Sequence, residues 1–224
     1  MSAYSSNDYD SRVNSVLPYY GEFHRQIIDL VKAVYPDNAE ISWLDTGCGT
    51  GSLAFKAEEQ INNIKFTLCD PSDQMLEKAK EKLNAYQNIV YKNISSQQLD
   101  YENKFDVVTA VQSHHYLNAE QRKEATQNCF RALKSGGIYI TFENIMLSDE
   151  ISDRIGNERW KNYLRSYGKT ETEVQSHINR RGTEVFPITI EEHLRLLKSC
   201  GFETADILWA SYMQAGFFAI KKGI

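Results

Sequence analysis

Three glycines at alternating positions, Gly47, Gly49 and Gly51, stand between the apolar stretch Glu40 to Thr46 and a helical stretch that runs from Ser52 to about Gln60. The full run is Asp45-Thr46-Gly47-Cys48-Gly49-Thr50-Gly51. Glycines there allow a tight turn and let a ligand touch bare backbone, while the helix that opens next offers free N–H donors. A short buried strand, a glycine turn and a helix in that order form the repeating unit of an alternating α/β architecture.

The rest of the chain keeps the same rhythm. Residues Tyr20 to Tyr35 place Phe23, Ile27, Ile28, Val31 and Val34 on one helical face. Ile64 to Cys69 is the second strand and ends at Asp70. Ser72 is placed to cap the next helix, which carries Met75, Leu76, Ala79 and Leu83 at helical spacing. Asn88 to Tyr91 gives a third strand, and the valine-rich Phe105 to Val111 a fourth, apolar enough to be buried on both faces. Asn118 to Leu133 reads as a helix opened by an Asn118/Gln121 capping pair and stopped by Gly136-Gly137, and Ile138 to Phe142 as the fifth strand. Residues 148–181 break the rhythm with a polar, aromatic-bearing helical pattern that includes a Thr170/Glu173 capping box. A second box, Thr189/Glu192, starts a helix that ends at Gly201. Asp206 to Tyr212 and Gln214 to Ile220 are joined too tightly for a crossover helix and must pair as an antiparallel hairpin. The expectation is one α/β domain over 1–224: a Rossmann-like doubly wound sheet, mostly parallel, with an antiparallel C-terminal hairpin. A cap segment and helix would cover 1–35, and 148–181 would form a helical lid inserted after strand 5.

Composition narrows the class. At 224 residues the chain fits a single core. Its net charge of −5 argues against holding nucleic acid by bulk electrostatics, so a tRNA partner is not indicated by charge, although a local patch would suffice for one. The start, Met1 to Asp8, lacks the basic and apolar regions of a signal peptide, and no apolar run approaches the roughly 20 residues that span a bilayer. Cys48, Cys69, Cys129 and Cys200 show no CxxC spacing and read as scattered reduced thiols of a cytoplasmic protein.

Two nucleoside ligands compete for the glycine turn. Asp70 stands where an acidic residue accepts both ribose hydroxyls of an adenosine, and Gly49-x-Gly51-x-x-Ala54 also satisfies the dinucleotide fingerprint. Asp45 separates the two. A carboxylate two residues before the first glycine repels a pyrophosphate at short range but suits a ligand whose tail carries an ammonium. S-adenosyl-L-methionine meets both demands, its own carboxylate taking the helix N-terminus.

The Asp45 to Gly51 run resembles motif I of the class I S-adenosylmethionine-dependent methyltransferases, and the pattern from about Tyr9 to Lys222 resembles that family throughout. The resemblance implies cofactor contacts for Gly47, Gly49 and Asp70, an adenine pocket lined by Pro71, Ser72 and Met75, and the segment Asn93-Ile94-Ser95 against the adenine. Many members carry an acidic residue in that last segment, where this chain has Asn93 and Ser95. A narrower resemblance joins Leu17-Pro18-Tyr19-Tyr20, Asn179-Arg180-Arg181 and the stretch from Thr189 onward to the carboxy-S-adenosylmethionine synthases of the tRNA wobble-uridine pathway. It implies a carboxylate held by Tyr20 and by Arg180 or Arg181. Those synthases do not keep a Gly-Cys-Gly-Thr-Gly loop, so the chain reads as a methyltransferase related to that branch.

Methyl transfer from a sulfonium needs mainly in-line alignment of the acceptor, worth up to ~7–11 kcal/mol. Where the acceptor enters protonated, a base adds ~10²–10⁴ in rate. The group Gln112, Ser113, His114, His115 and Tyr116 ends the fourth strand, on the edge that faces the ligand crevice. His114 or His115 is the candidate base, or else packs under the following helix, and Gln112 is assigned to the cofactor. Glu143 and Asn144 end the fifth strand on the same edge. No His and carboxylate set shows metal-ligand spacing. In the insertion, Trp160, Arg180 and Arg181 are expected to face a small-molecule acceptor, the alternatives being a solvated helical pair or a homodimer surface. A non-catalytic module that binds S-adenosylmethionine and a protein partner is the reading from another class.

Overall fold

The protein, seen in a computed structural model, is described over residues 13–223; the leader on which the signal-peptide reading rests lies outside the described residues. Helix α1 (Tyr20–Val34) leads into β1 (Ile41–Thr46), α2 (Ser52–Glu58), β2 (Ile64–Cys69), α3 (Asp73–Lys82), β3 (Ile89–Lys92) and β4 (Phe105–Val111). Then come α4 (Ala119–Ala132), β5 (Leu133–Met146), the helices α5 (Glu150–Ser166) and α6 (Glu171–Asn179), the short β6 (Ile188–Thr189) and α7 (Ile190–Ser199). The hairpin β7 (Thr204–Ser211) and β8 (Gln214–Ile220) follows.

The main sheet runs β3-β2-β1-β4-β5-β8-β7, parallel from β3 to β5, with β8 antiparallel to both β5 and β7. Strand order reverses between β1 and β4, the place where open α/β sheets bind their ligands at the carboxyl ends of the strands. The expected doubly wound sheet with an antiparallel hairpin is therefore present. β6, which pairs with the end of β5 at Ile145 and Met146, was not foreseen.

Helix starts follow local chemistry. Ser72 accepts from the Met75 amide, and reciprocal capping boxes form at Asn118/Gln121, Thr170/Glu173 and Thr189/Glu192. Each such cap is worth about 1 kcal/mol. Trp43, Phe66, Phe23 and Phe142 are buried on one side of the sheet, and Tyr139, Phe105, Cys129 and Phe202 on the other, so both faces are covered. Phe23, Ile27, Ile28 and Val31 pack there as their spacing predicts, while Val34 in the last turn of α1 is exposed.

One boundary differs. Gly136-Gly137 does not stop the helix: α4 ends at Ala132, and Leu133 is already extended and pairs with Phe105. The pairing then jumps to Val107 with Ile138, a bulge that needs Gly136 at φ +75° and lets Gly137 lie tight against the Asp106 carbonyl. β5 is thus longer at both ends than Ile138 to Phe142. No helix among the described residues is long and apolar enough to cross a membrane.

Candidate active site

The carboxyl ends of β1, β2 and β4 bring the glycine turn, Asp70 and the segment from Gln112 together. Gly47 has φ +72°, and a Cβ there would lie 2.5 Å from the Ser113 Cβ, so only glycine lets the turn pass the end of β4. A Cβ at Gly49 would meet nothing within 4 Å, which leaves its backbone open to a ligand. The Gly49 amide donates to Asp70 Oδ2 at 2.9 Å and the Ser72 amide donates to Asp70 Oδ1 at 2.9 Å. Each carboxylate oxygen keeps further lone pairs for outside donors. Asp70 is buried, and burial raises its pKa.

Asp45 is buried more deeply. Trp43 Nε1 donates to Thr109 Oγ1 at 2.9 Å, and that hydroxyl donates to Asp45 Oδ1 at 2.7 Å. Burial pushes the Asp45 carboxyl up to about 7, against the pull of the Thr109 bond. A cation brought beside it would restore the charged form. Asp45, Asp70 and the open Gly49 backbone thus suit an adenosine ligand with an ammonium tail. Met75 is buried, Pro71 is exposed, and Ser72 caps α3. Asn93 is exposed, while Ile94 packs against the second core.

A chain of buried polar groups occupies the ends of β4, β5 and β8. Gln112 Nε2 donates to Gln214 Oε1 at 3.0 Å, Gln214 Nε2 donates to Asn144 Oδ1, and Asn144 Nδ2 lies 3.3 Å from His115 Nε2. His115 Nδ1 lies 2.7 Å from Glu143 Oε2. Glu143 also accepts from the amides of His114 and His115 at 3.2 and 2.9 Å and from the Thr141 hydroxyl at 2.7 Å. Burial alone would raise the Glu143 carboxyl; the hydrogen bond from His115, the electrostatic pull of the two imidazoles and the Thr141 hydrogen bond bring it down to about 2. His114 faces the other way. Its Nδ1 lies 3.2 Å from the Tyr139 hydroxyl, its Nε2 has no partner among the described residues, and burial lowers its pKa to about 4.

Beside this chain lies a cavity lined by Gln112, His115, Tyr116, Asn144, Trp160, His177, Arg180 and Arg181, with Leu17 and Val16 closing one side. The insertion therefore covers the edge to which the histidines belong. Arg181 is committed, donating to Asp153 Oδ1 at 2.9 Å and to the Ile145 carbonyl at 3.2 Å. Arg180 pairs through Nε with Glu184 at 2.9 Å, while its Nη2 is buried without a hydrogen-bond partner among the described residues. The Trp160 indole N–H donates to the Val16 carbonyl at 2.8 Å, which leaves its ring to the cavity and to His177. Tyr20 is not among the residues that line the cavity. It packs against Phe23 and His24 in the first turn of α1.

Residues 44–139 match the family described as Methyltransferase domain, a span from β1 to the middle of β5 that carries the glycine turn, Asp70 and both histidines. Over these residues the chain is similar to the class I S-adenosylmethionine-dependent methyltransferases. Its cofactor is S-adenosylmethionine. This methyltransferase is 28% identical to the carboxy-S-adenosyl-L-methionine synthase of Wolinella succinogenes, over 96% of this chain and 90% of that one. It is 23% identical to the synthase of that name from Nautilia profundicola, over 95% and 90%. Among solved structures, a SAM-dependent methyltransferase from Thermotoga maritima superposes with a TM-score of 0.61 at 16% identity, covering 96% of this chain and 95% of that one. The CurJ carbon methyltransferase gives 0.70 at 16% identity, covering 96% of this chain and 58% of that one.

Several residues of the methyltransferase site carry no signal of their own in the sequence. Ser113 is marked only by its contact with Gly47, and Thr109 only by its bond to Asp45. Gln214 is a polar residue opening an apolar strand, and its pairing opposite Asn144 becomes visible once β8 is laid against β5. Arg122, buried under the His114 turn, donates to the His114 and Leu117 carbonyls at 3.1 Å each and to the Phe186 carbonyl. It ties the end of β4 to the chain that follows the insertion.

Proposed function

We propose that this methyltransferase acts on a small acceptor that carries a carboxylate, bound in the cavity under the helical insertion with Arg180 as its anchor. The observation behind this reading is the buried Arg180 Nη2, without a hydrogen-bond partner among the described residues, in a cavity that also contains His115 and Gln112. A guanidinium donor in that state suits a carboxylate, which it can hold by charge-assisted hydrogen bonds. Asp70 would accept the ribose hydroxyls of the cofactor and Asp45 its ammonium. Gly47 and Gly49 would admit it to the backbone, and Gln112 would mark the boundary between cofactor and acceptor. Pro71, Ser72, Met75, Asn93 and Ile94 are the candidates for the adenine side. The cofactor supplies a methyl on a sulfonium that leaves as a neutral thioether. The chain's task is to align the acceptor, exclude water beneath α5 and α6, and take up a proton where the acceptor brings one. His115 suits that last role better than His114, because His115 lines the cavity and His114 does not.

A second reading, a carboxy-S-adenosylmethionine-type synthase, is favoured by the names of the relatives and by the same arginine. The two are separated by incubating the protein with methyl-labelled cofactor and a panel of small carboxylic acids, amines, phenols and tRNA. Label passing to a carboxylate-bearing acceptor supports the first reading. Label retained on a cofactor whose mass has grown by a carboxylate supports the second. Transfer only to acceptors without a carboxylate, unaffected by Arg180→Lys, would overturn the anchor.

A further inference from the structure

The hydrogen-bond chain from Gln112 to Glu143 has a direction. Gln112, Gln214 and Asn144 each give an amide N–H to the next oxygen or nitrogen in line, so the last of them presents a donor to His115 Nε2. At the other ring nitrogen stands a carboxylate that already accepts two backbone amides and the Thr141 hydroxyl, and an acceptor-only group there requires a proton on Nδ1. The Asn144 backbone amide also points at Nδ1, from 3.4 Å, but the carboxylate at 2.7 Å is the closer and charged partner, so the side chains at the two ends of the imidazole favour one tautomer: hydrogen on Nδ1, lone pair on Nε2.

We infer that Glu143 is a positioning residue that fixes His115 in this tautomer, so that His115 Nε2 receives a proton from the acceptor and the acceptor is an O–H or N–H nucleophile. The inference rests on the methyltransferase reading above and adds the class of attacking atom. As the bond from that atom to the methyl carbon forms, the methyl–sulfur bond breaks with its electron pair left on sulfur. The acceptor's proton goes to His115 Nε2, giving an imidazolium whose other N–H still points at the Glu143 carboxylate. Asn144 must then yield its place at Nε2 to the acceptor. The cavity that contains His115, Asn144 and Gln112 is where that exchange has room to occur.

The groups that bear on His115 come from every element around it. Glu143 lies on β5, His114 and Tyr116 on its own turn and His193 on α7, while His177 on α6 and Arg180 and Arg181 after it line the same cavity.

The test has two readouts. Nitrogen-15 NMR of histidine-labelled protein, without cofactor, should show His115 with its proton on Nδ1, and Glu143→Gln should abolish that preference. With the cofactor and a turned-over acceptor, Glu143→Gln should lower kcat at least about tenfold and move the acid limb of the kcat profile to lower pH by roughly one unit, with cofactor Kd within a few-fold. Asn144→Asp, which sets a carboxylate beside Nε2, should move the same limb to higher pH, and it keeps the inference falsifiable where Glu143→Gln does not fold. A proton found on Nε2, or acid limbs unmoved in both variants, overturns the positioning role. Failure of the methyltransferase reading is seen separately, as absence of methyl transfer to every acceptor while the NMR tautomer stands.

Discussion

The Gly49 amide donates to the Asp70 carboxylate at 2.9 Å, so the turn after β1 and the end of β2 are fixed to one another through the group assigned to the ribose. Replacing Asp70 therefore removes the proposed ribose acceptor and a loop tie at once. Asp70→Ala should weaken S-adenosylmethionine binding at least tenfold, since hydrogen bonds to a charged partner are worth ~1.5–3 kcal/mol, and should lower the melting temperature. NAD should not bind comparably. Isothermal titration with both ligands checks this, and strong NAD binding with none of S-adenosylmethionine would sink it.

Gly47→Ala should destabilise the fold by a few kcal/mol, from ~1–2 for the left-handed backbone and ~1–3 for overpacking against Ser113. Since the added Cβ would lie 2.5 Å from the Ser113 Cβ, Ser113→Gly should recover the packing part and not the backbone part. Denaturant melts of the two single variants and the double variant measure the coupling. Strict additivity would mean that the contact is relieved elsewhere.

The Asp45 carboxyl, pushed up to about 7 by burial, must be ionised to pair with an ammonium. A carboxyl raised on folding gives stability that is full below its unfolded value near 4 and is lost as pH rises through about 7. Binding runs in the opposite sense: cofactor affinity should increase from pH 6 to 8, with proton release. Titrations in buffers of different ionisation enthalpy report that release, and Asp45→Asn should abolish it. A pH-independent affinity in the native protein would contradict the pairing.

Burial holds His114, His177 and His193 down to about 4. A histidine lowered on folding contributes stability that is present above its unfolded value of ~6.5 and is lost as pH falls toward 4. The melting temperature should therefore drop steeply between pH 6.5 and 4. His193→Leu, which keeps contact with Phe217, should flatten that slope by about one proton. An unchanged slope would mean that His193 is solvated in solution.

Arg180 and Arg181 should separate cleanly. Arg181→Lys breaks bonds to Asp153 and the Ile145 carbonyl and should appear mainly in the melting temperature. Arg180→Lys should raise the acceptor KM about tenfold or more with little change in stability, because a point charge does not reproduce a fork. Saturation kinetics beside thermal melts decide the assignment, and the reverse pattern would exchange the two roles.

The fold was legible wherever local chemistry decides. Strands Ile64–Cys69 and Phe105–Val111 follow from their apolar runs, and four helix starts follow from Ser72, Asn118, Thr170 and Thr189. The end of α4 was not legible, because Gly136 serves a bulge in β5 that exists only once β4 is alongside. The candidate site divides in the same way. Asp45, Gly47, Gly49 and Asp70 are neighbours through one strand–turn–helix unit and its parallel partner, so spacing alone brings them together. Glu143 and Asn144 reach the site edge by strand position, but their hydrogen bonds to His115, like those of Gln214 to Asn144 and Gln112, depend on side chains from separate strands. The different fates of Arg180 and Arg181 rest on Glu184 and Asp153, which no adjacency of the two arginines reveals.

β8 follows every other strand in the chain, yet it sits between β5 and β7 and supplies Gln214 to the row that ends at His115. During synthesis, then, the ribosome releases an interior strand of this sheet after all the others. Until Gln214–Ile220 has emerged, β5 has an open edge and Asn144 lacks its amide partner, so the nascent domain waits with its parallel half ready and its site unfinished.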